Sequence, residues 1–199
     1  MSRYAVGHRQ EAKARILAAA GRGFRKCGYG GIGVDGLAKE AEVTSGAFYG
    51  HFPSKEAAFK EAVIVGLEEL KNGILTLRET LGQAWIEAFV EFYLGARREC
   101  DLSESCALQS LTPDVQRADA AVKIAFEALT IDVAGAVADG LPGGTASERL
   151  ERAWAMLAVL SGGVTLARSV QDAALAKAMA DAVAKSAISI GRATGATLN

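Results

Sequence analysis

Residues 44–59 read TSGAFYGHFPSKEAAF. Phe48, Tyr49, His51 and Phe52 fall within five positions, followed at once by Pro53 and Lys55. A core segment would accept the rings but not His51 and Lys55. A solvated segment would accept those two but not a pair of phenylalanines. A very short helix, packed on one side and turned toward something polar on the other, accommodates all of them. Phe48 and Phe52 are four apart and share one face. Pro53 ends the helix, because the residue before a proline is pushed out of the helical region. Thr44 or Ser45 supplies the N-cap of this short helix. Ser54 caps the next one, which starts at Lys55 and runs to about residue 78.

Upstream, residues 10–27 have a helical period, with Ala12, Ile16, Ala20, Phe24 and Cys27 on one face. Gly28, Gly30 and Gly31 stop that helix. Residues 34–41 form a second, short helix whose apolar face is Val34, Leu37, Ala38 and Ala41. A break at Glu42-Val43-Thr44 separates it from the helix of the quoted stretch. Two short helices joined by a tight turn and braced by a third make a helix-turn-helix unit. Phe48 and Phe52 then point at a small core of Phe24, Leu37 and Val43. Thr44, Ser45, Ala47, Tyr49 and His51 are left for the major groove and its phosphates. The rings fix the helix, and the polar residues read DNA.

Residues 28–59, GYGGIGVDGLAKEAEVTSGAFYGHFPSKEAAF, resemble the DNA-binding domain of the TetR/AcrR family of bacterial transcriptional regulators. The specific part is F-Y-x-H-F-x-S-K-E (48–56) following L-A-x-x-A-x-V-T (37–44). The resemblance covers residues 10–59 strongly, and the remaining helices match in number, length and order. It implies that Thr44, Ser45 and Ala47 face base edges, while Tyr49 and His51 touch phosphate or sugar. Lys55 would reach a phosphate, helped by the positive end of its helix. Gly46 and Gly50 allow close backbone approach without a side-chain hydrogen bond, so affinity leans on phosphates and DNA shape. Two positions depart from the family pattern. Gly33 stands where Ser or Thr usually caps the second helix, and Glu42 stands where glycine usually occupies the turn. A positive φ at Glu42 would cost about 1 kcal/mol, and its charge would weaken non-specific DNA binding.

The 199 residues are half apolar, with three prolines and no sustained strand pattern, so the expected fold is all-α. A three-helix DNA-binding domain over residues 1–54 would precede a helical regulatory domain over 55–199. Charge divides in the same sense. Residues 1–60 hold ten Lys and Arg against five Asp and Glu, whereas the remainder holds twelve against eighteen. A basic first third on an acidic body suits a polyanion-binding module joined to something else. Arg3, Arg9 and Arg15 are ordinary solvated charges or a basic arm that reaches the DNA backbone. No apolar run approaches 18 residues and no signal peptide is evident, so the expected location is cytoplasmic, with no membrane partner.

In the body, residues 83–98, 113–139, 149–169 and 172–194 have helical patterns. Pro113 marks one start, LPGG (141–144) a break, and Thr145 with Glu148 a capping box. The stretch CDLSESC (100–106) reads as a loop. The resemblance implies a ligand cavity in this domain, with Trp85, Phe89, Phe92, Tyr93, Phe126 and Trp154 as candidate lining. Aromatics at helical spacing are also what a plain core contains. It implies, too, a twofold four-helix bundle made by the last two helices, with Leu157, Leu160, Val164 and Ile188 along the seam and Ser161-Gly162-Gly163 at a close crossing. Two copies suit a palindromic DNA site.

The implied whole is a homodimeric repressor released from its operator by a hydrophobic or aromatic effector. The competing reading is an all-α enzyme or small-molecule carrier with an incidental basic N-terminus. No Ser-His-acid, paired-carboxylate or metal-ligand spacing supports that reading, and no cofactor or metal is expected. A third reading keeps the DNA-binding unit but makes the body only a dimerisation module. Cys100 and Cys106 are spaced for a redox pair, but only Arg97 and Arg98 are at hand to favour a thiolate.

Overall fold

The computed structural model describes residues 3–194, and every regular element among them is helical. The order is α1 (Arg3–Cys27), α2 (Val34–Glu40), α3 (Ser45–Tyr49), α4 (Lys55–Leu81), α5 (Trp85–Leu94), α6 (Ala96–Glu99), α7 (Ala107–Val115), α8 (Ala120–Ala138), α9 (Ala146–Arg168) and α10 (Ala173–Arg192). Short 3-10 turns precede α5 and interrupt the 100–106 loop at Leu102–Glu104.

The all-α expectation holds, with two local differences. The 113–139 helix is two helices. Pro113 lies inside α7 rather than opening a helix, and the chain leaves α7 after Val115. Asp119 then restarts it, its Oδ1 accepting the Val122 N–H at 2.8 Å. A side-chain cap sets the start, a task that the sequence suggests for the proline. The 83–98 helix breaks at Gly95, which lies outside helical geometry between α5 and α6.

Contacts gather the chain into two compact units. One comprises the stretch up to Gly66 together with Asp101–Phe126, and the other comprises Leu67–Cys100 and the stretch from Glu127 onward. In the first unit Ile16, Ala20, Phe24, Leu37, Phe48, Phe52 and Phe59 are buried. Each of these side chains except Ala20 contributes roughly 1.5–3 kcal/mol of apolar burial. Phe24 and Phe59 meet edge to face at 5.2 Å, and Tyr29 meets Phe59 at 5.1 Å. The 101–126 segment is tied to the end of α1 by polar contacts. Tyr29 N–H donates to Asp114 Oδ2 at 2.8 Å, and Arg25 Nε donates to the Ser103 carbonyl at 2.6 Å. Where α4 meets α7, Gly66 is required by proximity, because a Cβ there would overlap the Cβ of Ala107.

In the second unit α5 buries Trp85, Ile86, Phe89, Val90, Tyr93 and Leu94. α9 opens with the expected capping box, in which Thr145 and Glu148 satisfy each other's backbone N–H groups. Those bonds to Thr145 hold the Glu148 carboxyl below its ordinary value. The Gly162-Gly163 pair leaves α9 unbroken. Gly163 faces Val183 of α10 so closely that a Cβ would overlap it, so the close crossing lies within one protomer.

Candidate nucleic-acid interface

The five residues of α3 are too few to be stable alone. Thr44 caps the helix, its Oγ1 accepting the Ala47 N–H at 3.1 Å. Phe48 and Phe52 anchor it, both completely buried, with ring centroids 5.4 Å apart. On the other side Thr44, Gly46, Ala47 and Tyr49 are exposed, and His51 is half-buried just beyond. The Tyr49 side chain is 54% exposed, its ring edge-on to Phe48 at 5.9 Å. Five expected DNA-facing residues, Thr44, Ser45, Ala47, Tyr49 and His51, therefore lie on or beside one short helix.

Two expected contact residues have partners within the protein. Ser45 Oγ donates to Asp35 Oδ1 at 2.5 Å, tying α3 to α2. Lys55 is half-buried, donates to the Tyr29 carbonyl, and holds its ammonium 4.2 Å from the Tyr29 ring centroid. Its aromatic neighbour is a cation–π partner. Asp35, Tyr29 and Arg9 were not foreseen in these roles. Arg9 Nη2 donates to the Gly50 carbonyl at 3.4 Å, bracing the end of α3 from α1. The side chain of Arg3 lies outside the described residues. The Asp35 link pairs residues ten apart on two helices, which helical periodicity within either one does not reveal.

Both anticipated departures are visible in the backbone. Gly33 precedes α2 without a side-chain cap, and Glu42 has φ 55°, the only non-glycine positive φ among the described residues. Glu42 and Asp35 are both exposed, so carboxylates flank the short helix. Tyr29 is the titrating group of this unit whose environment is plainly altered. Burial raises its phenol pKa first, and the charges of Glu56 and Asp119 raise it further.

The aromatic candidates in the body do not form one group. Trp85, Phe89 and Tyr93 are buried in a row along α5, at centroid spacings of 6.1 and 5.6 Å. Trp85 Nε1 donates to the Gly140 carbonyl at 3.1 Å. Phe92 is exposed beneath the Arg97 guanidinium at 4.8 Å, and Trp154 is 38% exposed. Phe126 is half-buried and belongs to the unit that contains α3.

Leu157, Leu160 and Val164 are already buried within the isolated chain, Leu160 completely. Side chains covered by their own protomer have no surface left for a second one. Ile188 is half-buried. The exposed side of α9 instead carries Trp154, Ala155, Ala158, Gly162 and Leu166. The sequence pattern located an apolar stripe, but two stripes share this helix, and periodicity alone did not say which one faces inward.

Cys27, Cys100 and Cys106 are not joined in a disulfide. Cys100 is held locally, with its Sγ 3.8 Å from Arg168 Nη1 and its carbonyl accepting from Arg168 Nη2 at 2.8 Å. Among the described residues no group of three or more His, Cys, Asp or Glu could hold a metal ion, and no helix is long and apolar enough to cross a membrane.

A capped, phenylalanine-anchored short helix after a turn, set in an all-α chain, defines a helix-turn-helix unit. Residues 16–62 match the family model described as bacterial regulatory proteins, tetR family. Solved structures share the fold across nearly the whole chain. A TetR-family regulator from Agrobacterium tumefaciens is 18% identical, with 89% of this chain and 98% of that one covered and a TM-score of 0.74. The reduced form of NemR from E. coli is 19% identical, covering 94% and 100%, with a TM-score of 0.75. FadR from Bacillus subtilis, solved in complex with stearoyl-CoA, is 12% identical, covering 86% and 97%, with a TM-score of 0.59. No curated protein matches the chain at a comparable level of significance.

Proposed function

We propose that this protein is a homodimeric, cytoplasmic transcriptional repressor that binds operator DNA through α3 and is released by a small molecule. The observation that carries the reading is the two-sided build of α3. Its inward side is Phe48 alone, while Tyr49 stands more than half exposed beside Thr44, Ala47 and His51. Packing gives no reason to hold a tyrosine there, whereas a phosphate or sugar does. In this reading Ser45 exchanges its Asp35 bond for a base edge, and Lys55 leaves the Tyr29 carbonyl for a phosphate. Residues 1–54 act as the DNA-binding domain and 55–199 as the regulatory domain.

The second copy would sit on the uncharged exposed stripe of α9, at Trp154, Ala155, Ala158, Gly162 and Leu166. Small residues there let helices approach closely, and an apolar surface of this kind suits a partner better than water. The solved FadR with stearoyl-CoA supports a small-molecule effector in this fold. A second reading is favoured by the α5 aromatics. Trp85, Phe89 and Tyr93 pack on one another, as in a body that serves only for dimerisation.

The test is a salt-titrated binding assay on the promoter fragment beside the protein's own gene. The wild type should bind with nanomolar affinity that falls steeply with salt. Tyr49→Ala should weaken binding while the helical circular dichroism is retained. A wild type that binds this fragment and a scrambled duplex equally would sink the proposal for that operator and return the weight to the helical body.

A further inference from the structure

A cleft of about 290 Å³ opens in the unit that contains α3, between the α1–α2 loop, the first turns of α4 and the end of α7. Tyr29 and Phe59 give it aromatic walls, Glu56 and Asp114 contribute carboxylates, and Arg117 and Ala118 complete it. The volume is close to the lower end for small-molecule sites, which are mostly apolar with a few placed polar groups.

The charges inside this cleft are unequally engaged. Asp114 accepts from the Tyr29 N–H, and its Oδ1 is 4.0 Å from Arg117 Nη1. Arg117 turns back on its own helix, Nη1 donating to the Pro113 carbonyl at 2.8 Å. Lys55 is occupied by the Tyr29 carbonyl and ring. Glu56 accepts no hydrogen bond and forms no ion pair with another described residue. Asp119 adds a further negative charge near the Tyr29 phenol. The surplus is one uncommitted carboxylate beside two rings.

We propose that this cleft binds a small organic cation, an ammonium on an aromatic or apolar body, with Glu56 as its counter-ion and Tyr29 and Phe59 against its apolar part. A carboxylate–ammonium pair supplies a charge-assisted bond, and the rings shelter it from water. A bound ligand touches Tyr29 and Glu56, one the partner of Lys55 and the other its chain neighbour. Occupancy therefore alters how Lys55 is held. The consequence for DNA rests on the reading of Lys55 as a phosphate contact, whereas the site itself does not.

The experiment is an amide-resolved NMR titration of the full chain with 2-phenylethylammonium, with 2-phenylethanol and 3-phenylpropionate as neutral and anionic counterparts. The cation should shift the Tyr29 and Gly30 amides saturably and bind at least about tenfold tighter than either counterpart. Glu56→Gln, on the cleft rim, should lose about that factor, and Ala118→Phe should fill the cleft and abolish binding. No saturable shift at Tyr29 and Gly30, equal affinity for all three probes, or undiminished binding by Glu56→Gln would each overturn the site. Operator affinity is measured in parallel with and without the cation. Binding at Tyr29 with unchanged operator affinity overturns the link through Lys55, and a wild type without operator binding overturns the repressor reading alone.

Discussion

α3 and α9 lie at opposite extremes of how a helix is held. The five-residue α3 buries a single side chain, Phe48, and depends on Thr44, Phe52 and the Ser45–Asp35 bond around it. The 23-residue α9 buries eight of its own residues and carries a complete capping box. A helix that is mostly surface offers its residues to a ligand, but its stability is concentrated at one or two points. A helix with a long inward stripe spreads its stability over many contacts, and a second exposed stripe remains for other use.

The comparison is broken most severely at the two anchors. Phe48→Ala should cost about 3–5 kcal/mol. The loss should appear in chemical denaturation as failure of the first unit, with operator binding abolished. Leu160→Ala should cost about 2–5 kcal/mol by the same cavity mechanism, acting on the second unit. If Leu160→Ala leaves stability unchanged but separates the proposed dimer in sedimentation, the inward assignment of Leu160 is wrong. Gly162→Glu, on the outward stripe, should do the reverse, giving monomers whose helix content is unchanged.

Smaller changes sharpen the contrast. Glu42→Gly should stabilise the first unit by about 1 kcal/mol by relieving the positive φ, and removal of the charge should raise non-specific DNA affinity. Thr44→Ala and Thr145→Ala should each cost about 1 kcal/mol. The first should reduce DNA binding measurably, whereas the second should register only as a lower melting temperature. The smallest effect is a pH dependence. The Glu148 carboxyl is held below its ordinary value of 4.5 by its bonds to Thr145. Its contribution is therefore present above that value and is lost as pH falls through the lowered one. The stability difference between wild type and Glu148→Gln should shrink over that acid range and stay constant at neutral pH.

Local signals in the sequence were strong wherever one residue type has one physical use. The Thr44 cap, the Phe48–Phe52 pair, the capping box at Thr145 and Glu148, and the strained turn at Glu42 were all readable because each rests on neighbours a few positions away. Pro113 misled because a proline is tolerated in more than one part of a short helix, and the distant sequence does not say which part. The sequence leaves open what Leu157, Leu160 and Val164 face, for a related reason. An apolar stripe must face something, but whether that is α10 of the same chain or a second copy is a tertiary fact. The link from Lys55 to Tyr29 spans 26 residues and lies in no motif, so the cleft beside it had no signature in the sequence.

The crossing at Gly66 is also a mechanical element. With no Cβ on one side and the smallest possible one on the other, α4 and α7 touch at a point where neither can turn freely. Rotating α4 about its axis by one position would bring Val65 or Leu67 to face Ala107, and the helices would have to separate. The contact thus works as a detent, permitting seated positions and resisting those between. Gly66→Ala acts as a shim one methyl thick, a means of asking how far apart α4 and α7 can be wedged before the unit gives way.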